Sequence, residues 1–125
     1  MDYYVENTIA LAFVGDAVWE LYIRDKIFDK ISKQRPDQMH KSAVKYVKAV
    51  AQCETIKALI KQEFLSEEEL ALVKRARNHK VATKAKNASM TEYKWATAFE
   101  ALLGYLYLSN KKERLEEIME ASYHE

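Results

Sequence analysis

Two carboxylates stand where this sequence makes a charge costly. Asp16 lies within Ala12-Phe13-Val14-Gly15-Asp16-Ala17-Val18, and Glu100 within Ala98-Phe99-Glu100-Ala101-Leu102-Leu103-Gly104. An ionised acid in such company needs a counter-charge, hydrogen-bond donors or a metal. Each acid has a glycine and an alanine close by, which permit two helices to approach closely. If the two segments are helices that pack together, Asp16 and Glu100 face each other. Two carboxylates converging in a groove with a few waters make a hard-cation site suited to Mg²⁺. A cation held there would deprotonate water and stabilise charge on a phosphoryl oxygen. The alternative is structural: Asp16 would accept a backbone amide or pair with Arg24 or a lysine, and Glu100 would pair with Lys94 or an arginine. Glu20, one turn after Asp16, is either a further ligand or the i,i+4 partner of Arg24.

The second constellation is basic. From Lys74 to Lys86 the chain carries Lys74, Arg75, Arg77, Lys80, Lys84 and Lys86 and no acid, so a net charge of only +1 hides a strongly positive segment. Asn78, His79, Thr83 and Asn87 are interleaved and can donate to phosphate or ribose oxygens. A segment of this kind suits nucleic-acid backbone. It holds no aromatic residue to stack on bases, which points to a duplex rather than a single strand. The alternative is a solvated loop that balances the acidic Glu67–Glu69 turn.

These groups need elements to position them. With two glycines and one proline in 125 residues, a β-rich fold lacks turn residues, and the composition predicts an all-α chain. One domain spanning 1–125 is expected from the length. A first helix is predicted from Asn7 or Thr8 to about Phe28, with a wide apolar face that suits either a monomer core or a subunit contact. Asp29 to Arg35 reads as a loop. Pro36 opens a helical stretch running to about Phe64, long enough to contain a bend. Ser66-Glu67-Glu68-Glu69 is a capping box for a helix ending within Lys74–Lys80. Val81 to Met90 reads as a connection. Thr91 is the expected cap of a helix with body Tyr93 to Leu108, and a last amphipathic helix carries Leu115, Ile118 and Met119. Tyr105 and Tyr107 are candidates for a subunit contact.

Several classes are excluded. Two glycines make neither a Walker loop nor a dinucleotide fingerprint. One cysteine, Cys53, makes no disulfide framework or Cys-rich zinc module and reads as core; a reducing cytoplasm is the natural setting. His40, His79 and His124 are too scattered for a zinc site. No apolar run approaches a membrane span, and the first residues do not pattern as a signal peptide.

Val14-Gly15-Asp16-Ala17-Val18 resembles the signature helix of ribonuclease III domains, and Phe99-Glu100-Ala101-Leu102-Leu103-Gly104 resembles that family's second acidic helix, in the same order along the chain. The short length and the Ile9–Glu20 and Thr97–Glu100 contexts are similar to Mini-ribonuclease III, the small bacterial group that consists of the catalytic domain alone. The resemblance covers nearly the whole chain. It implies an all-helical ribonuclease III-type homodimer that uses Mg²⁺ to cleave double-stranded RNA. It further implies a role in maturation of the large-subunit (23S) ribosomal RNA precursor, with Asp16 and Glu100 as catalytic metal ligands. Without a separate RNA-binding domain, Lys74, Arg75, Arg77, Asn78, Lys80, Lys84 and Lys86 become the candidates for gripping RNA. Longer ribonucleases III carry acids at the positions of Ala12 and Thr97. Their loss supports the alternative of a catalytically inactive RNA-binding or assembly module.

Overall fold

The computed structural model describes residues 7–79 and 89–124. They form α1 (Thr8–Lys26), α2 (Phe28–Ile31), α3 (Pro36–Val47), α4 (Ala49–Lys61), α5 (Glu67–Arg77), α6 (Met90–Leu108) and α7 (Lys112–Ser122), with no strand among the described residues. The all-α expectation holds.

The arrangement follows from α6. Its sequence is apolar around nearly its whole circumference, which suits a helix enclosed by others. α1, α4, α5 and α7 all pack against it. Phe99, Leu102, Leu103 and Leu106 are fully buried along it, and α1 contributes Leu11, Trp19 and Ile23. Each such side chain stabilises the fold by roughly 1.5–3 kcal/mol relative to exposure. Trp19 ties three helices together. Its ring meets Phe99 edge-on at 5.1 Å, and its indole nitrogen donates to the Tyr46 carbonyl of α3 at 3.1 Å. Cys53 is buried, as its apolar setting predicts.

Local chemistry sets most helix ends. The Asn7 side chain caps α1 by accepting from the Ala10 amide, and Pro36 occupies the first turn of α3. Ser66 and Glu69 complete the reciprocal capping box of α5. Three expectations need correction. Within the span read as a loop, Phe28–Ile31 forms a short helix, closed by the Ser32 hydroxyl donating to the Asp29 carbonyl. The cap of α6 is Ser89, not Thr91: Ser89 and Glu92 form a second capping box, because glutamate stands three residues after Ser89. Tyr105 is no surface residue: it is buried, and its hydroxyl donates to Glu68 and accepts from Lys111. Of the connection predicted over Val81 to Met90, residues 81–88 lie outside those described. The bend in the long helical stretch falls at Lys48, where one extended residue (φ −71°, ψ 152°) separates α3 from α4.

Candidate active site

The site begins with the two glycines of the chain. A Cβ on Gly15 would stand 1.7 Å from the Glu100 carbonyl oxygen, and one on Gly104 would stand 1.9 Å from the Leu11 carbonyl oxygen. No side chain fits at either place, so α1 and α6 cross with their backbones in contact. The residue after Gly15 is Asp16, and the carbonyl that Gly15 faces belongs to Glu100. The crossing therefore brings the two acids together, and their carboxyls are close enough to share a hydrogen bond.

Asp16 is exposed and Glu100 partly buried, and among the described residues neither acid is neutralised by a cation. Among the described residues, Asp16 has no ion pair with Arg24 or a lysine, and Glu100 has none with Lys94 or an arginine. The Glu100 carboxyl is pushed up to about 9, first by burial, then by the neighbouring Asp16 charge and the hydrogen bond between them. Glu20 adds further negative charge, while a hydrogen bond from Gln52 works the other way. Glu20 and Arg24 form no ion pair among the described residues, so Glu20 belongs to the acidic surroundings of Glu100 instead. Two acids that repel each other and retain a proton are poised to exchange that proton for a cation.

Gln52 was not legible as a site residue. It sits on α4, is 3% exposed, and its Nε2 donates to Glu100 Oε2 at 3.3 Å. A usable signal existed, because Gln52 precedes Ile56 by four residues and so falls on the apolar face of α4. The two positions where the resemblance to longer ribonucleases III expects acids are filled by packing. Ala12 is buried, and the buried Thr97 turns its hydroxyl back to the Tyr93 carbonyl at 2.9 Å. No group of three or more acid, histidine or cysteine side chains converges among the described residues. Two carboxylate oxygens and a neighbouring amide suit a hard cation that takes its other ligands from water and phosphate.

The basic run is placed in part. Lys74 and Arg75 are exposed on the last turns of α5, Arg77 is half-buried, and Asn78 caps the helix. Lys80, Lys84 and Lys86 lie outside the described residues. The Arg77 guanidinium lies over the Trp95 ring at 4.8 Å.

The apolar face of α1 divides in two. Leu11, Trp19 and Ile23 enter the core, whereas Ile9, Phe13 and Leu21 stay exposed, Phe13 by 83%. The exposed set recurs every fourth residue with Ala17 and therefore forms one stripe. Phe13, Ala17 and Leu21 share a shallow surface with Asp16, Glu20 and Tyr107.

Known proteins match this arrangement. The family model described as the ribonuclease III domain matches residues 9–111. The Mini-ribonuclease 3 of Enterococcus faecalis is 48% identical over 118 residues, covering 94% of this chain and 89% of that protein. That of Thermoanaerobacter is 50% identical, covering 93% and 80%. The crystal structure of a Fusobacterium nucleatum protein superposes with a TM-score of 0.79 at 35% identity, covering 90% of this chain and 88% of that one. The family model, the fold and relatives that cover most of the chain agree, and the chain belongs to the Mini-ribonuclease 3 group of the ribonuclease III family, as an endoribonuclease.

Proposed function

We propose that the chain is a Mg²⁺-dependent endoribonuclease acting on double-stranded RNA, as a single catalytic domain paired with a second copy of itself. The observation that carries this reading is the contact between Asp16 and Glu100 at the Gly15–Gly104 crossing, with no cation among the described residues to neutralise it. Asp16 and Glu100 would hold the metal. Bound there, a divalent cation supplies an activated water and neutralises charge on the phosphoryl group under attack. Glu100 gives up its proton on loading, and Gln52 fixes the orientation of the Glu100 carboxylate by its donated hydrogen bond. Lys74, Arg75, Arg77 and Asn78, with Lys80, Lys84 and Lys86 beyond them in sequence, neutralise and position backbone phosphates without reading bases.

The exposed stripe of Ile9, Phe13 and Leu21 on α1 supports the homodimer. A second copy would bury it about a two-fold axis and set the two acidic sites along one face. The ribosomal RNA precursor is proposed as substrate on the resemblance alone, and the cytoplasm as location. Among the described residues no helix is long and apolar enough to cross a membrane.

The test is incubation with a long RNA duplex, with Mg²⁺ or with chelator, beside Asp16→Asn. Metal-dependent cutting that vanishes in the variant is expected. Binding without cutting, by wild type and variant alike, would instead make the chain a non-catalytic module.

A further inference from the structure

A second site stands at the start of α6, on a different face from the acids. Arg77, Asn78, Thr91, Lys94 and Trp95 line a cleft of ≈ 260 Å³ between the end of α5 and the first turns of α6. Its side chains supply a guanidinium, an ammonium, an amide and a hydroxyl around one indole wall. No acid is among them, although the chain has 19 acids.

Arg77 is the unusual member. It is half-buried, yet no carboxylate lies within ion-pairing distance among the described residues. The other partly buried arginine, Arg114, shows what satisfaction looks like: it grips both oxygens of Glu69 at 2.8 Å and donates to the Phe64 carbonyl. Arg77 has only the Trp95 ring and an Nε bond to Asn78 Oδ1 at 3.1 Å. Its two terminal nitrogens donate to none of the described residues, which leaves the forked edge that matches a phosphate. Asn78, accepting through Oδ1, keeps its amide hydrogens to donate. Lys57 of α4 lies over the same indole at 5.7 Å, so cations from two helices converge on Trp95 with no ion pair to either among the described residues. A cation held against an aromatic face retains its charge and loses freedom, so it is ordered before any ligand arrives.

We propose that Arg77, Asn78, Thr91 and Lys94 bind one backbone phosphate of the RNA duplex, with Trp95 as the positioning residue that fixes the Arg77 guanidinium; this rests on the double-strand reading above. Thr91, Lys94 and Trp95 thereby join the substrate-binding surface. Trp95, Lys94 and Thr91 precede Glu100 by five to nine positions, about 7–14 Å along α6 at 1.5 Å rise per residue.

The test uses the full chain in chelator, so that RNA binds without being cut, and reads binding against salt. Each neutralised phosphate contributes about 0.9 to the logarithmic salt slope. Arg77→Gln and Lys94→Gln, both changes of polar groups at the cleft, should each lower that slope, and the double variant should lose about one in total because both cations serve one phosphate. Trp95→Leu should match Arg77→Gln. With Mg²⁺ it should raise KM roughly tenfold, the loss of one charge-assisted contact, and leave kcat intact. Trp95→Phe should restore both values, since it keeps an aromatic face. Trp19, the other tryptophan, is 2% exposed, so a change in emission on adding duplex reports Trp95. Unchanged slopes in all three variants, with wild type binding and cutting duplex, overturn the cleft and leave the endonuclease reading standing. Wild type that neither binds nor cuts duplex overturns both. Inorganic phosphate at matched ionic strength separates the two phosphate sources: emission that responds to it but not to duplex overturns the assignment to RNA.

Discussion

Gly15 and Gly104 meet backbone to backbone, and the closeness of that meeting sets the distance between Asp16 and Glu100. Each glycine is one helical turn or less from the acid on its own helix. Any side chain placed between them must move α6 relative to α1. The site is thus built on the absence of two methyl groups.

Gly104→Ala should therefore damage stability and chemistry together. The added Cβ overlaps the Leu11 carbonyl, a rigid backbone atom, so the helices must part. The expected cost is about 3 kcal/mol, at the upper end for overpacking. Denaturant unfolding measures it. Wild-type stability with full cleavage would show that the crossing tolerates separation.

Glu100→Gln should abolish cleavage and stabilise the metal-free protein. The folded protein holds the Glu100 proton up to about pH 9, whereas an unfolded glutamate releases it near its ordinary 4.5. Between those values the folded state binds more protons than the unfolded state, so stability falls as pH rises. The glutamine variant lacks that fall. It should match wild type near pH 4 and exceed it by roughly 1–3 kcal/mol near pH 8. Thermal melts at the two pH values decide, and equal gains at both would remove Glu100 as the cause.

Metal binding should follow the same proton. Loading displaces it, so Mg²⁺ affinity should rise with pH up to about 9, with proton release visible by calorimetry in buffers of different ionisation enthalpy. Gln52→Leu removes the hydrogen bond that favours the carboxylate. It should weaken Mg²⁺ binding by about 10- to 100-fold and shift the pH–rate profile to higher pH. An unshifted profile would leave Gln52 a packing residue only.

Phe13→Glu should convert a dimer to monomer. The side chain is 83% exposed in the single chain, so the change disturbs no core of the folded protomer. Sedimentation should show half the mass with an unchanged helical spectrum. A variant that remained dimeric would place the subunit contact elsewhere.

How much of this was legible depended on the kind of signal. Asp16 and Glu100 stood out as charges inside apolar runs, and their glycines hinted at close approach; burial holds for Glu100, whereas Asp16 is exposed because its side of α1 faces out of the core. The exposure of Phe13 and Leu21 was not legible, because an apolar residue reads alike whether it meets its own core or another copy. Lys48 carries no glycine or proline to mark the break between α3 and α4. The short α2 is too brief for periodicity to register. Trp95 carries no sequence signal for its contact, since the cation that lies over it comes from a helix 18 positions earlier in sequence. By contrast, the cap at Ser89 was readable from Glu92 and was assigned to Thr91 instead.

The capping box at Ser89 and Glu92 has a consequence for divergence and engineering. The helix that carries Glu100 supplies its own starting signal, from its first residues alone. Among the described residues, the Ser89 and Glu92 side chains alone close its end. The stretch before Ser89 should therefore tolerate lengthening, shortening or exchange while the Glu100 helix keeps its register. Variation in substrate preference can therefore accumulate immediately before Ser89 without retuning the acids, and a chimera joined at that serine is the natural way to transplant one preference onto another scaffold.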